Sequence, residues 1–270
     1  MAYDLLVCDL DGTLIDDSMT LDPPLVAAFR RAGERGLRVS LATGRMPAAT
    51  ERYRTELGIE GPLILYNGAL VRDPRSGRDL LSLALPPGIL ASRVYEVFAH
   101  APVDPLFFRD DRLHCLALTM PVRRFCEEEG LSAHVIADPH PFLGQGTFVK
   151  TVFIGHPDTL PVLRRELERV VGDRARLVRT RGDYLELLPA GASKGGALRE
   201  LAAHLAVPLD RVIAVGDEEN DVEMLRAAGL GVAMPHAPEA VRAAADRVAP
   251  PASEGGLLAL FRELLPKHFV

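Results

Sequence analysis

Asp9 and Asp11 stand two residues apart at the end of an apolar run, in the stretch CDLDGTL, and Gly12 follows directly. Two like charges at the close of a buried strand need a counter-charge, or one must hold a proton. Matching groups occur far along the chain: Thr43 and Gly44 in ATGR, Lys194 in GASKGG, Asp217, Asn220 and Asp221 in GDEENDVEML. Four carboxylates gathered at close range suit a hard cation such as Mg2+, which takes one or two of them and keeps several waters. A threonine hydroxyl beside a glycine amide, and a lysine at a helix start, suit an anion. A metal, a phosphate-sized anion and a carboxylate able to attack describe phosphoryl transfer through an aspartyl phosphate. Only Lys150, Lys194 and Lys267 among 31 basic residues are lysines, so a lysine in such a place is less easily put down to composition.

These residues need elements that bring them together. Tyr3–Cys8 reads as a strand ending at Asp9, where Asp9 and Asp11, two apart on extended chain, point to the same side. Asp22-Pro23-Pro24 opens a helix with Asp22 as N-cap and Gly36 after its end. Leu37–Ala42 is a second strand, followed by a helix to about Leu57, and Pro62–Tyr66 is a third strand followed by Asn67-Gly68. From Lys194 onward the same alternation returns, with strands at 211–215, 230–233 and 247–249 between helices. Alternating strands and helices, with strands apolar on both faces, predict an α/β doubly wound parallel sheet. In such a sheet the ligand crevice lies beyond the carboxyl ends of the strands, where each polar segment named above would fall.

The middle of the chain follows a different order. FFRDDRLHCLAL reads as a hairpin turning at Asp110-Asp111, TFVKTVFIG as an alternating strand, and Arg181-Gly182-Asp183 as the turn of a second hairpin. The expected organisation is a core of residues 1–84 and 189–270, with an α+β insert at 85–188 built on an antiparallel sheet. Glu186, on a returning strand of this insert, reads as an exposed position, with a substrate contact as the alternative.

Composition narrows the function. Of 270 residues, 48% are hydrophobic and 25% charged, which are globular values. The net charge of -6 argues against a nucleic-acid partner. No apolar run approaches the roughly 20 residues of a membrane span, and the N-terminal stretch lacks the basic region of a signal peptide. Cys8, Cys115 and Cys126 show no CxxC spacing, which suits a reducing, cytoplasmic setting without a thiolate metal site. None of the eight histidines falls at a metal-binding spacing, and all read as surface or packing residues.

DLDGTL, ATGR, GASKGG and GDEENDVEML, in this order, resemble the four motifs of the haloacid dehalogenase superfamily of phosphohydrolases. The large insert between the second and third motifs is similar to the type 2B cap of the Cof-like branch. The resemblance implies a phosphatase acting with Mg2+ on small phosphorylated metabolites, sugar phosphates or similar phosphomonoesters, as a monomer or homodimer. It implies Asp9 as nucleophile and Asp11 as the acid and base that protonates the leaving oxygen and then activates water, so that Asp11 starts protonated. Asp9, Asp11 (through its carbonyl) and Asp217 would hold the metal, and Asp221 its waters. Thr43, Gly44 and Lys194 would bind the phosphoryl group, and Asn220 would orient Lys194 or that group. Arg45 and Asn67 stand where relatives place substrate-side residues. A phosphomutase of the same superfamily is a weaker fit, since about 30 residues separate Asp11 from Thr43, too few for its usual cap. A non-catalytic phosphosensor would not need an insert of this size.

Overall fold

The computed structural model describes residues 3–16 and 18–269. The chain divides into two compact units. The first runs to Arg45 and takes in Thr50–Ser82 and everything from Ser193; the second holds Met46–Ala49 and Leu83–Ala192.

The first unit begins with β1 (Leu5–Cys8), α1 (Pro23–Glu34), β2 (Arg38–Leu41), α2 (Pro47–Leu57) and three short strands, β3 (Leu63–Leu65), β4 (Leu70–Arg72) and β5 (Asp79–Ser82). All four residues of β1 are buried, as a strand covered on both faces requires. α1 buries Leu25, Ala28, Phe29 and Ala32, one stripe at helical spacing. Asp22 occupies the N-cap position, but its side chain makes no capping hydrogen bond; its carbonyl accepts from Val26 N at 2.9 Å. The two prolines give this helix its start instead, because their fixed φ suits a first turn whose N–H groups have no helical partner.

The second unit carries α3 (Arg93–Ala99), β6 (Val103–Arg109), β7 (Arg112–Cys115), α4 (Met120–Glu129), β8 (Ala133–Val135), α5 (Pro139–Gly144), β9 (Lys150–Gly155), α6 (Leu160–Val171), β10 (Ala175–Arg181) and β11 (Tyr184–Pro189). Its six-stranded sheet has the order β10-β11-β9-β6-β7-β8. The β6–β7 hairpin turns at Asp110 and Asp111, both at φ 52°. Such angles fit the turn whose twist matches paired strands. The sheet is mixed rather than antiparallel throughout, since β8 pairs parallel to β7. α4 carries the chain back between them, and a helical crossover returns a strand in the same direction. Phe98, Phe107, Phe148 and Phe153 fill the core of this unit with Leu163, Leu167, Leu185 and Leu187.

The chain then completes the first unit with α7 (Lys194–His204), β12 (Val212–Gly216), α8 (Val222–Ala227), β13 (Leu230–Ala233), α9 (Glu239–Arg242), β14 (Arg247–Val248), α10 (Gly256–Leu264) and α11 (Pro266–Phe269). The main sheet has the order β14-β13-β12-β1-β2, with every pair parallel. β3 departs from the expected third core strand. It forms an antiparallel sheet with β4 and β5, and meets the end of β2 by a single bridge between Ala42 and Ile64. Its three residues end at Leu65, and the chain doubles back through Tyr66–Gly68 into β4. Among the described residues no helix is long and apolar enough to cross a membrane.

Candidate active site

The carboxyl ends of β1, β2, β3 and β12, together with the start of α7, deliver the polar residues of the first unit. Asp9 leaves β1 in extended form, its N–H bonded to Val215 O at 2.8 Å on the neighbouring β12. The chain then turns tightly, with Leu14 N and Ile15 N both donating to Leu10 O. Gly12 sits in this turn at φ +80°, and a Cβ there would fall 2.3 Å from Asp217 Oδ2. Only a glycine meets both demands.

Lys194 is the buried cation of the site. Its Nζ donates to Asp9 Oδ1 at 2.6 Å and to Asp221 Oδ1 at 2.7 Å. It is the first residue of α7, whose N-cap Ser193 accepts from Gly196 N at 3.0 Å. Burial alone would lower the Lys194 pKa, but Asp221 and Asp9 outweigh it and hold the ammonium well above its ordinary value. Asp221 spends its other oxygen on backbone: Oδ2 accepts from Asp217 N at 3.0 Å and Glu218 N at 3.1 Å. Asp221 therefore both shapes the turn after β12 and anchors Lys194. Asn220, expected to orient Lys194 or the phosphoryl group, donates from Nδ2 to Asn67 Oδ1 at 2.9 Å.

Asp9, Asp217 and Asp221 are all buried and offer carboxylate oxygens within 4.8 Å of one another. Burial, and after it Asp221, lifts the Asp217 carboxyl above its ordinary value. Burial likewise pushes Asp9 upward, against the pull of Lys194. Three carboxylates around one ammonium leave negative charge uncompensated, and an all-oxygen donor set fits a hard divalent cation. The donor chemistry of the site thus agrees with the metal that the motifs imply.

Asp11 departs from its expected place. It does not share a partner with Asp9; its half-exposed carboxylate meets the buried guanidinium of Arg45, with Nη2 at 2.6 Å from Oδ1 and Nε at 2.9 Å from Oδ2. The same-side expectation held for extended chain, and the turn at 10–15 breaks it. The carboxylate is therefore outside the cluster of three and meets Arg45 instead. Arg45 also lies over the Tyr53 ring, 5.4 Å from its centroid.

Thr43 is buried, and its Oγ1 accepts from Arg45 N at 3.1 Å. Its carbonyl accepts from Asn67 N at 3.0 Å, which ties the ends of β2 and β3 together. Gly44 lies against the Asn67 amide, where a Cβ would meet Nδ2 at 3.1 Å. Tyr66 and Asn67 occupy the left-handed region in succession, at φ 51° and 55°. That conformation is tolerable for asparagine and costly for tyrosine, and such strain persists only where surrounding contacts impose it.

Several residues stand out to which the sequence gives no such contacts. Thr13 lies in the first motif and donates from Oγ1 to Asp217 Oδ1 at 2.8 Å. His236 Nε2 stands 3.5 Å from Asp217 Oδ2, though no spacing motif marks it. In the second unit Glu186 is buried, not exposed; it accepts from Lys150 Nζ at 3.1 Å and from Thr180 Oγ1 at 3.0 Å. The rarity of lysine was the one signal that pointed to Lys150.

Comparison with known proteins agrees with this arrangement. Residues 6–261 match the family of haloacid dehalogenase-like hydrolases, and the chain belongs to that family. Its fold is shared with a solved subclass IIB sugar phosphatase of the superfamily, at TM-score 0.79 and 21% identity over 96% of this chain and 98% of that one. The chain is 33% identical over 244 residues to an HMP-PP phosphatase of Serratia proteamaculans, covering 87% of this chain and 85% of that one. It is 28% identical over 258 residues to the pyridoxal phosphate phosphatase YbhA of Escherichia coli, covering 92% and 93%. A solved haloacid dehalogenase-like hydrolase from Bacteroides thetaiotaomicron superimposes with TM-score 0.87 at 26% identity, over 97% of this chain and 100% of that one. The chain also matches the chloroplastic endoribonuclease YBEY of Arabidopsis thaliana at 30% identity, but spans only 43% of that longer protein.

Proposed function

We propose that this phosphatase hydrolyses phosphomonoesters of small metabolites by transferring the phosphoryl group to Asp9 and then to water. The observation that carries the reading is Lys194, which bridges Asp9 and Asp221 while engaging only one oxygen of Asp9. The other oxygen, Oδ2, is then the attacking atom. Thr43 Oγ1 and the Gly44 amide bind the phosphoryl oxygens, and the Lys194 ammonium offsets their charge. Asp9 and Asp217, with the Asp11 carbonyl, are the groups that would hold Mg2+, which when bound supplies the positive charge that lets a dianionic phosphate approach. Asp221 keeps Lys194 in place. Asp11, released from Arg45 and protonated from solvent, gives that proton to the departing oxygen, and takes one from water in the second step. Arg45 serves as the resting partner of Asp11, and Asn67 with Asn220 braces the loop beside Thr43.

The substrates named for relatives, pyridoxal phosphate and HMP-PP, support a small phosphorylated metabolite as the preferred compound. Phosphate release over a panel of such compounds, in Mg2+, tests the reading. Turnover is expected in the wild type and absent in Asp9→Asn, with a phosphorylated Asp9 recovered by mass spectrometry after acid quench. Label recovered on another residue, or turnover retained in Asp9→Asn, would remove Asp9 from the nucleophile's role.

A further inference from the structure

Asp217 is framed on both oxygens. Thr13 Oγ1 donates to Oδ1 at 2.8 Å, and His236 Nε2 stands 3.5 Å from Oδ2. The two neighbours come from opposite ends of the chain, Thr13 from the turn after β1 and His236 from the turn after β13. The latter turn is fixed by backbone: Met234 N donates to Gly216 O at 3.0 Å, at the end of β12, and Ala237 N to Met234 O at 3.1 Å. Pro235 narrows the freedom of the backbone between them. The imidazole is thus carried to the rim above a buried carboxylate by a turn anchored on the same strand end that bears Asp217. It is 56% exposed, whereas the Asp217 side chain is 8% exposed.

We propose that His236 is a positioning residue for Asp217, its ring N–H steering Oδ2 while Thr13 holds Oδ1, so that the carboxylate meets its cation in one orientation. This rests on reading Asp217 as a metal ligand. A ligating carboxylate with two rotatable torsions gains affinity when its free orientations are removed beforehand, and the outer partners of metal ligands typically carry 10–100-fold in affinity. The alternative for an imidazole at this place is to bind the cation itself. A directly bound imidazole favours Mn2+ over Mg2+, because nitrogen suits transition metals better than it suits hard alkaline-earth ions.

The test is binding of Mn2+ to the full chain, followed by the electron paramagnetic resonance of the free ion, with Mg2+ affinity read by competition. Asp217→Asn should abolish tight binding; binding retained there would sink the assignment of Asp217 on which the proposal rests. With Asp217 so established, His236→Ala should weaken Mn2+ and Mg2+ together by about tenfold. His236→Gln, which keeps an N–H donor at similar reach, should recover most of that loss. Thr13→Val, which keeps shape but removes the hydroxyl, should weaken both ions to a similar degree. The thermal unfolding midpoint of His236→Ala in EDTA should equal that of the wild type. Wild-type affinity in His236→Ala would overturn the proposal and leave His236 as a surface residue. Loss of Mn2+ with Mg2+ unchanged would overturn it in favour of direct ligation.

Discussion

Arg45 grips Asp11 through two hydrogen bonds, of 2.6 and 2.9 Å, with the guanidinium buried and the carboxylate half exposed. If Asp11 carries the proton as proposed, a leaving-group oxygen must compete with Arg45 for its carboxylate.

Asp11→Asn cannot act as acid or base. With p-nitrophenyl phosphate, whose leaving group needs little protonation, the variant should release a burst of about one nitrophenolate per site and then stall, while turnover of an alkyl phosphate is nearly lost. Stopped-flow absorbance reads the burst. Equal defects on both leaving groups, with no burst, would take the proton transfer away from Asp11.

Removing the ammonium of Lys194 strands two buried carboxylates, Asp9 and Asp221. Breaking a buried pair by deleting one partner typically costs about 3–5 kcal/mol, and Lys194→Ala should lower unfolding free energy by that order in EDTA. Millimolar Mg2+ should return part of it. Urea denaturation measures both, and an unchanged midpoint would mean that the pair contributes nothing to folding.

Gly12→Ala meets two obstacles, φ +80° and a Cβ 2.3 Å from Asp217 Oδ2. Gly77 is the control, at φ +68° with nothing within 4 Å of a Cβ. Gly77→Ala should cost only backbone strain, about 1 kcal/mol or somewhat more. Gly12→Ala should add a loss of Mg2+ affinity by calorimetry, because Asp217 is displaced. Equal metal affinity in both variants would show that Asp217 accommodates the methyl.

Burial lifts the carboxyls of Asp9 and Asp217 above their ordinary values, so without metal the folded chain binds more protons than the unfolded one. Their contribution to stability is full below the ordinary carboxylate pKa, near 4, and is lost as pH rises through the raised values. A cation competes with those protons. Stabilisation by Mg2+, read as a shift in melting temperature against EDTA, should be greater at about pH 8 than at about pH 5. A shift independent of pH would mean that no proton leaves when the ion binds.

Glu186 and Lys150 form a buried pair in the second unit, 3.1 Å apart, with Lys150 also 4.8 Å from the centre of the Phe108 ring. Glu186→Gln should destabilise by about 3–5 kcal/mol, whereas the double change Lys150→Met with Glu186→Leu should cost far less. Additive losses in the double variant would contradict a coupled pair.

Much of this was legible in the sequence, for identifiable reasons. Strands such as LLVC and VIAVG are continuous apolar runs, and the polar residue after each marks the end of the sheet where ligands gather. That is how Asp9 and Asp217, which the structure brings into one cluster, were expected near one another. Lys194 stood out because lysine is scarce. The side chain of Asp11 was misjudged because its direction depends on a tight turn closed by Leu10 O, which no alternation of residue types reveals. β8 was missed because Ala133, His134 and Val135 are partly or wholly exposed and carry no apolar pattern. The contact of Asp221 with Lys194 was not foreseen, since two neighbouring residues in one turn face different ways and spacing alone does not say which meets the lysine. Glu186 was read as exposed because a charged residue on a strand ordinarily is; its burial follows from a partner 36 positions away.

The scarcity of lysine has a practical side. Lys194 and Lys150 are both buried within ion pairs, while Lys267, near the start of α11, is exposed. The folded protein therefore presents one reachable side-chain amine. Amine-directed reagents under native conditions should modify Lys267 and spare the other two, so a dye, a biotin or a surface tether placed through this chemistry would attach at one defined side chain, with the amine of the candidate active site left unreacted.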